Sequence, residues 1–140
     1  LDLLEKVFVI FRLPAFCRNL RTELKKSRKI YFYDNGIRNA LINNFQPLAL
    51  RNDTGVLWEN FIISERKKYN EYKQIATNTY FWRNFAQQEI DYIEERDGCL
   101  YAFEFKWNEN KKSKLPPAFA ETYPEHRYNV INPSNYLEFI

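Results

Sequence analysis

An α/β fold, a mixed sheet flanked by helices, is what this 140-residue sequence predicts, on three observations. Asp97-Gly98 lies between two runs of alternating chemistry, Glu89 to Arg96 and Cys99 to Lys106, a strong signal for a hairpin closed by a two-residue type I′ turn. The second half reads in order as helix, strand, strand, strand, helix, strand. The length, with 45% hydrophobic and 18% aromatic residues, suffices to bury one core.

Each element has a local reason. Leu1 to Lys6 reads as the end of a helix, and Val7 to Leu13 as a buried strand stopped by Pro14. Arg18 to Lys29 is a basic connector. Ile30 to Tyr33 is a short aromatic strand ending at the turn signal Asp34-Asn35-Gly36, and a helix follows from about Ile37 to Asn43 with Asp34 placed to cap it. Pro47 to Asn52 links to the next helix, Gly55 to about Tyr69, for which Asp53 or Thr54 can serve as cap. On that helix Glu59 has Gly55 and Val56 one turn before it and Ile62 and Ile63 one turn after, so it lies along an apolar stripe. A carboxylate there is paired, protonated or bound to a cation, or else sits at the stripe's edge and reaches water.

Ala76 to Phe85 is rich in β-formers and reads as a strand, with Arg83 as a strand-end cation or phosphate contact. The hairpin supplies two more strands. Lys111, Lys112 and Lys114 follow in a basic loop, then Leu115 to Tyr123 as a short helix with prolines in its first turn, and His126 to Asn132 as a final strand stopped by Pro133. His126 reads as a surface residue, having no Cys, His or Asp at metal-ligand spacing.

Composition narrows the function classes. The net charge is +3, but cations crowd between Arg12 and Lys29 and again at Lys111 to Lys114, a distribution that suits a polyanion and equally a solvated surface. The apolar run Val7 to Phe11 is far shorter than the roughly 20 residues of a membrane span, so a soluble, cytoplasmic protein with no membrane association is expected. Cys17 and Cys99 are too few for a disulfide framework and read as reduced thiols. No Gly-rich phosphate loop and no Ser-His-Asp spacing is present, so ATP binding is not encoded in this stretch.

The hairpin carries the chemistry. With Asp97 and Gly98 as the turn, Ile93 faces Ala102, Asp91 faces Glu104 and Glu89 faces Lys106, an ordinary cross-strand ion pair. Ile93, Leu100 and Ala102 share the acidic face, and Ile90, Tyr92, Tyr101, Phe103, Phe105 and Trp107 take the other. Asp91 and Glu104 with Cβ atoms roughly 5 Å apart repel by about 3 kcal/mol at an effective dielectric of about 20. A divalent cation relieves this, as does protonation of one carboxyl, and Lys106 relieves it in part.

Asp91, the tripeptide Glu104-Phe105-Lys106 and the helical Glu59 in this element order resemble the PD-(D/E)xK nuclease superfamily, which implies a restriction-endonuclease-like helix-strand-strand-strand-helix-strand core. More widely, Lys29 to Ile37, Gly55 to Ile62, Tyr80 to Arg83, Glu89 to Tyr92 and Phe103 to Lys106 resemble the C-terminal domain of unknown function of bacterial and archaeal AAA-type ATPases. On these resemblances residues 1–46 form a connector (helix, strand, short helix) after an ATPase module that binds the ATP, and 47–140 the nuclease-like domain. They imply Mg²⁺ or Mn²⁺ on Asp91, Glu104 and Glu59, and Lys106 as the catalytic cation. Arg83, Lys111, Lys112 and Lys114 would then hold nucleic acid. The other expectation is a catalytically inactive module that binds nucleic acid or protein and regulates the attached ATPase.

Overall fold

The computed structural model describes residues 1–18 and 27–140. Of the basic connector, Arg21, Lys25 and Lys26 lie outside the described residues. The chain forms α1 (Asp2–Lys6), β1 (Ile10–Pro14), β2 (Arg28–Phe32), α2 (Asn35–Leu41), α3 (Thr54–Tyr72), β3 (Asn78–Arg83), β4 (Glu89–Arg96), β5 (Cys99–Phe105), α4 (Pro117–Thr122) and β6 (His126–Ile131). Short 3-10 turns lie at Leu48–Leu50 and Tyr136–Glu138. The class is mixed α/β, with a mixed four-stranded sheet flanked by helices. Among the described residues no helix is long and apolar enough to cross a membrane.

The main sheet has the order β3-β4-β5-β6, antiparallel except for β6, which runs parallel to β5. A parallel pair needs a crossover, and the stretch containing α4 supplies it. The β1–β2 hairpin leans on the edge of this sheet through the bridge Ala15↔Phe81 and the Phe16 N–H donating to the Phe81 carbonyl at 2.7 Å. Phe11, Leu13 and Tyr31 of that hairpin enter the same core as Trp58, Ile62, Tyr92, Phe103 and Phe139, so residues on both sides of position 46 fold around one apolar layer. A second layer, on the α4 face, gathers Phe16, Trp82, Ile90, Ile93, Leu100, Ala102, Phe119 and Tyr123.

Asp97 and Gly98 both have positive φ, 51° and 74°, as a type I′ turn demands, and β4 pairs with β5 from Arg96↔Cys99 to Tyr92↔Phe103 in the expected register. One expectation about faces fails. Ile90 does not share a face with Tyr92 but packs with Ile93, because the β3–β4 register slips between Tyr80↔Ile93 and Trp82↔Ile90. Asp91 and Tyr92 therefore stand against the single Phe81, a bulge that re-aims the side chains of the bulged strand.

Smaller differences have local causes. Val7 and Phe8 are exposed rather than buried, since the chain turns there and Phe8 takes φ 57° before β1 begins. Asp34 does cap α2 through the Gly36 N–H. Asp53 occupies the cap position of α3 without capping it, because its carboxylate accepts from Arg51 and Arg38 instead, and these guanidiniums hold its pKa below the usual carboxylate range.

Candidate functional site

Four acidic side chains from three elements surround two lysines. α3 presents Glu59, β4 presents Glu89 and Asp91, β5 presents Glu104, and Lys29 enters from β2. The Lys29 ammonium lies 3.0 Å from Glu59 Oε1 and 3.9 Å from Asp91 Oδ1, and it also pairs with Glu89. Burial opposes its charge, but Glu59, Glu89 and Asp91 outweigh burial and raise its pKa. Tyr31, two residues on along β2, donates its hydroxyl to Glu59 Oε1 at 2.5 Å. Its own pKa is raised by burial and by the Glu59 carboxylate, so it stays a donor.

Asp91 is the perturbed group. Its carboxyl is 15% exposed, and burial first, then Glu59 and Glu104, push its pKa up to about 7. The Phe105 N–H donating to Asp91 Oδ2 at 2.9 Å and the nearby Lys29 pull the other way but do not cancel these effects. The bulge explains the placement: beyond Tyr92↔Phe103, the Phe105 amide is met by the Asp91 side chain, which is thereby held between Glu59 and Glu104. Lys106 donates to Glu104 Oε1 at 2.6 Å, and its pKa is raised by that contact and by Asp91 against the burial that opposes it.

Asp91, Glu104, Lys106 and Glu59 are thus brought into one electrostatic cluster. The Glu89–Lys106 pair expected from the register is replaced, because Glu89 is held by Lys29 and Arg83. Arg83 correspondingly is half-buried, with Nε 2.6 Å from Glu89 Oε2, rather than an open strand-end cation. Lys111, Lys112 and Lys114 are exposed on the loop after β5. Arg12 pairs with Asp2 and Glu5, and Arg18 with Glu95, so these cations of the N-terminal basic cluster are engaged within the chain. His126 is half-buried, its Nδ1 2.6 Å from the Tyr123 carbonyl oxygen.

Sequence reasoning missed Lys29 and Tyr31. Their signal is the alternation of β2: positions 29 and 31 share one side of a strand that crosses the start of α3. It also missed the Glu94–Arg66 pair described below.

The donor set fits a hard divalent cation in part. Mg²⁺ is commonly held by one or two carboxylates with water and substrate phosphate completing its shell, and Asp91 and Glu104 supply such a pair of oxygens. Three protein ligands are not gathered: among the described residues no group of three His, Cys, Asp or Glu side chains is arranged to hold a metal ion. Glu59 is tied to Lys29 and Tyr31 instead.

Comparison with known proteins agrees with this as a family without assigned function. The chain is 30% identical over 109 residues to the uncharacterized protein Mb2031c of Mycobacterium bovis and, equally, to the uncharacterized protein Rv2008c of Mycobacterium tuberculosis. The match covers 76% of this chain and 24% of each relative, so the chain spans about a quarter of their length. No solved structure matches significantly. The profile described as Domain of unknown function (DUF8612) matches residues 1–48. The profile described as Domain of unknown function (DUF4143) matches residues 54–138, which include Glu59, Asp91, Glu104 and Lys106, and the chain belongs to that family.

Proposed function

We propose that this chain is a PD-(D/E)xK-type, metal-dependent phosphodiesterase domain acting on nucleic acid and joined in its full-length protein to an AAA-type ATPase. The observation that carries the reading is the Asp91 carboxyl, raised to about 7 beside Glu104 and within the field of Lys106. Two like charges confined this way are poised to accept a cation, and perturbed carboxyls of this kind concentrate at functional sites. Mg²⁺ or Mn²⁺ bound by Asp91 and Glu104 would polarise a phosphoryl oxygen and acidify a bound water.

The chain's own residues do the rest. Asp91 gives up its proton as positive charge arrives, the same balance that burial and its acidic neighbours now tip the other way. Lys106, charged and held by Glu104, orients the attacking water and stabilises negative charge growing on the phosphoryl oxygens. Glu59, fixed by Tyr31 and Lys29, maintains the field on Asp91. Arg83 and the Lys111 to Lys114 loop contact backbone phosphates without reading sequence.

One observation favours a second reading. Lys29 already supplies a protein-borne cation among Glu59, Glu89 and Asp91, and a site neutralised internally suits an inactive module that binds nucleic acid or protein and regulates the attached ATPase. Cleavage of labelled single- and double-stranded DNA and RNA with Mg²⁺ or Mn²⁺ separates the two. The hydrolytic reading expects cleavage by the native chain that Asp91→Ala and Lys106→Ala abolish. Equal activity in all three, or none in any, leaves the regulatory reading.

A further inference from the structure

The strand beside Glu104 carries a polar group that neither ion pairing nor packing accounts for. β6 runs parallel to β5 with Tyr128 opposite Ala102 and Val130 opposite Glu104. Side chains two apart on a strand share a face, so Tyr128 stands on the face of Ala102 and Glu104, as a diagonal neighbour of Glu104. Steps of about 4.8 Å across the strands and about 6.6 Å along them put the two Cα atoms roughly 8 Å apart, a gap that a tyrosine and a glutamate span together. Lys106 belongs to the same corner. Its backbone N–H donates to the Ile131 carbonyl at 2.9 Å, and its ammonium reaches back to Glu104 Oε1 at 2.6 Å, which brings the charge toward Tyr128.

Tyr128 is half-buried, its ring packed against the apolar layer that holds Ala102 and Phe119. The hydroxyl at the end of that ring is buried and makes no hydrogen bond of ordinary geometry among the described residues. Electrostatics tie it to the acidic site: burial raises its pKa most, the nearby Ser113 side chain lowers it, and Glu104, Lys106 and Asp91 each act on it. Lys106 in turn feels Tyr128. The raised pKa keeps the phenol neutral, with lone pairs free to accept. A buried hydroxyl without a partner costs stability, and phenylalanine would fill the same space without that cost.

We propose that Tyr128 is a positioning residue of the acidic site, its hydroxyl accepting an N–H from the Lys106 ammonium once the charge of Glu104 is taken up by a cation. In the free chain Glu104 holds the lysine. A carboxylate shared with a divalent cation offers less to an ammonium, and a lysine on its flexible four-carbon stem then loses its direction. Tyr128, fixed by its packed ring, supplies a neutral acceptor. One N–H is held there, and the remaining donors face the attacking water and the phosphoryl oxygen. Burial of the hydroxyl suits this part, because it touches Lys106 and not the substrate. The purpose of the contact rests on the hydrolytic reading, but the passing of the lysine from Glu104 to Tyr128 requires only that Glu104 lose its charge.

The test has a readout without metal and one with it. In EDTA, proton exchange of the Lys106 ammonium is followed by NMR, its signal assigned by its loss in Lys106→Ala. Tyr128→Phe should speed that exchange several-fold in a Glu104→Gln chain and little in the native one. With Mg²⁺ and a labelled oligonucleotide, Tyr128→Phe should lower kcat roughly tenfold or more with KM unchanged. Its urea midpoint should stay level or rise, since the ring is kept and an unpartnered hydroxyl removed. A fallen midpoint would assign the hydroxyl to the fold and overturn the proposal. Equal exchange in Glu104→Gln with and without Tyr128→Phe overturns it as well, as does cleavage by Tyr128→Phe at the native kcat. Altered exchange in a chain that cleaves nothing keeps the contact between Tyr128 and Lys106 and removes the hydrolytic reading.

Discussion

β4 carries two acids three residues apart, Asp91 and Glu94, and both are packed beside α3, yet their surroundings are opposite. Glu94 is fully buried, accepts from Arg66 Nε at 2.7 Å and from a second Arg66 nitrogen at 2.8 Å, and accepts a further bond from Asn70 at 2.7 Å. Those contacts, against the burial that opposes them, lower its pKa. Asp91 meets Glu59 of the same helix and Glu104 of β5, and its pKa rises. What α3 presents decides the outcome: a carboxylate at Glu59, and two turns later, roughly 10 Å along, a guanidinium at Arg66. A bidentate, fully hydrogen-bonded acid holds a structure together. An acid placed against other acids keeps its proton to near neutral pH instead.

The largest test of that contrast is Arg66→Ala. It leaves the buried Glu94 with only Asn70, Tyr92 and the more distant Arg96 at 3.6 Å, and urea unfolding should show a loss of about 3 kcal/mol. A loss below about 1 kcal/mol would mean that Glu94 reaches water and that the pair is ordinary.

Asp91→Asn should act in the other direction. The pKa of Asp91 is raised in the folded chain from its usual 3.8 to about 7, so between those values the folded state binds more protons than the unfolded state. Stability therefore falls as pH rises through that window, and the asparagine variant, which has no proton to lose, should be more stable than the native chain at pH about 8 by on the order of 3 kcal/mol. Near pH about 4 the difference should vanish. Glu94 has the opposite sign: its lowered pKa contributes stability that is lost as pH falls below the carboxylate range. Identical urea midpoints for native and Asp91→Asn chains at both pH values would refute the strained assignment.

Lys29→Met removes the ammonium shared by Glu59, Glu89 and Asp91. Glu89 keeps Arg83 and Glu59 keeps Tyr31, so the expected cost is smaller than for Arg66, about 1–3 kcal/mol above neutral pH. The Asp91 titration, followed by carboxyl NMR, should move further upward. The smallest effect on stability belongs to Lys106→Ala, whose partly exposed pair with Glu104 is worth up to about 1 kcal/mol. Its readout is cleavage, and lost activity with an unchanged midpoint separates a catalytic cation from a structural one.

Much of the second half was legible in the sequence because its signals are local. Asp97-Gly98 names its own turn type, and the register from Arg96↔Cys99 to Tyr92↔Phe103 follows from it. The apolar spacing of α3 marks the helix and singles out Glu59, although the helix runs on to Tyr72 and ends with Gln74 in the left-handed region at φ 53°. Arg66 and Asn70 were hidden because a cation in a run of charged residues looks like surface. Only the contact with Glu94 shows that they face inward.

The order of elements along the second half, the Asp97-Gly98 turn and the hairpin register from Arg96↔Cys99 to Tyr92↔Phe103 were written in the sequence, since neighbours along the chain decide them. The direction of Asp91 was not. It depends on a one-residue slip between β3 and β4, a property of how two strands pair rather than of either strand. Nor was the arrival of Lys29 and Tyr31 beside Glu59, which requires the N-terminal hairpin to fold against α3 across some thirty residues of chain. Local steric and hydrogen-bonding preferences fix elements; packing of distant elements fixes the field each charge feels, and that field divides Asp91 from Glu94.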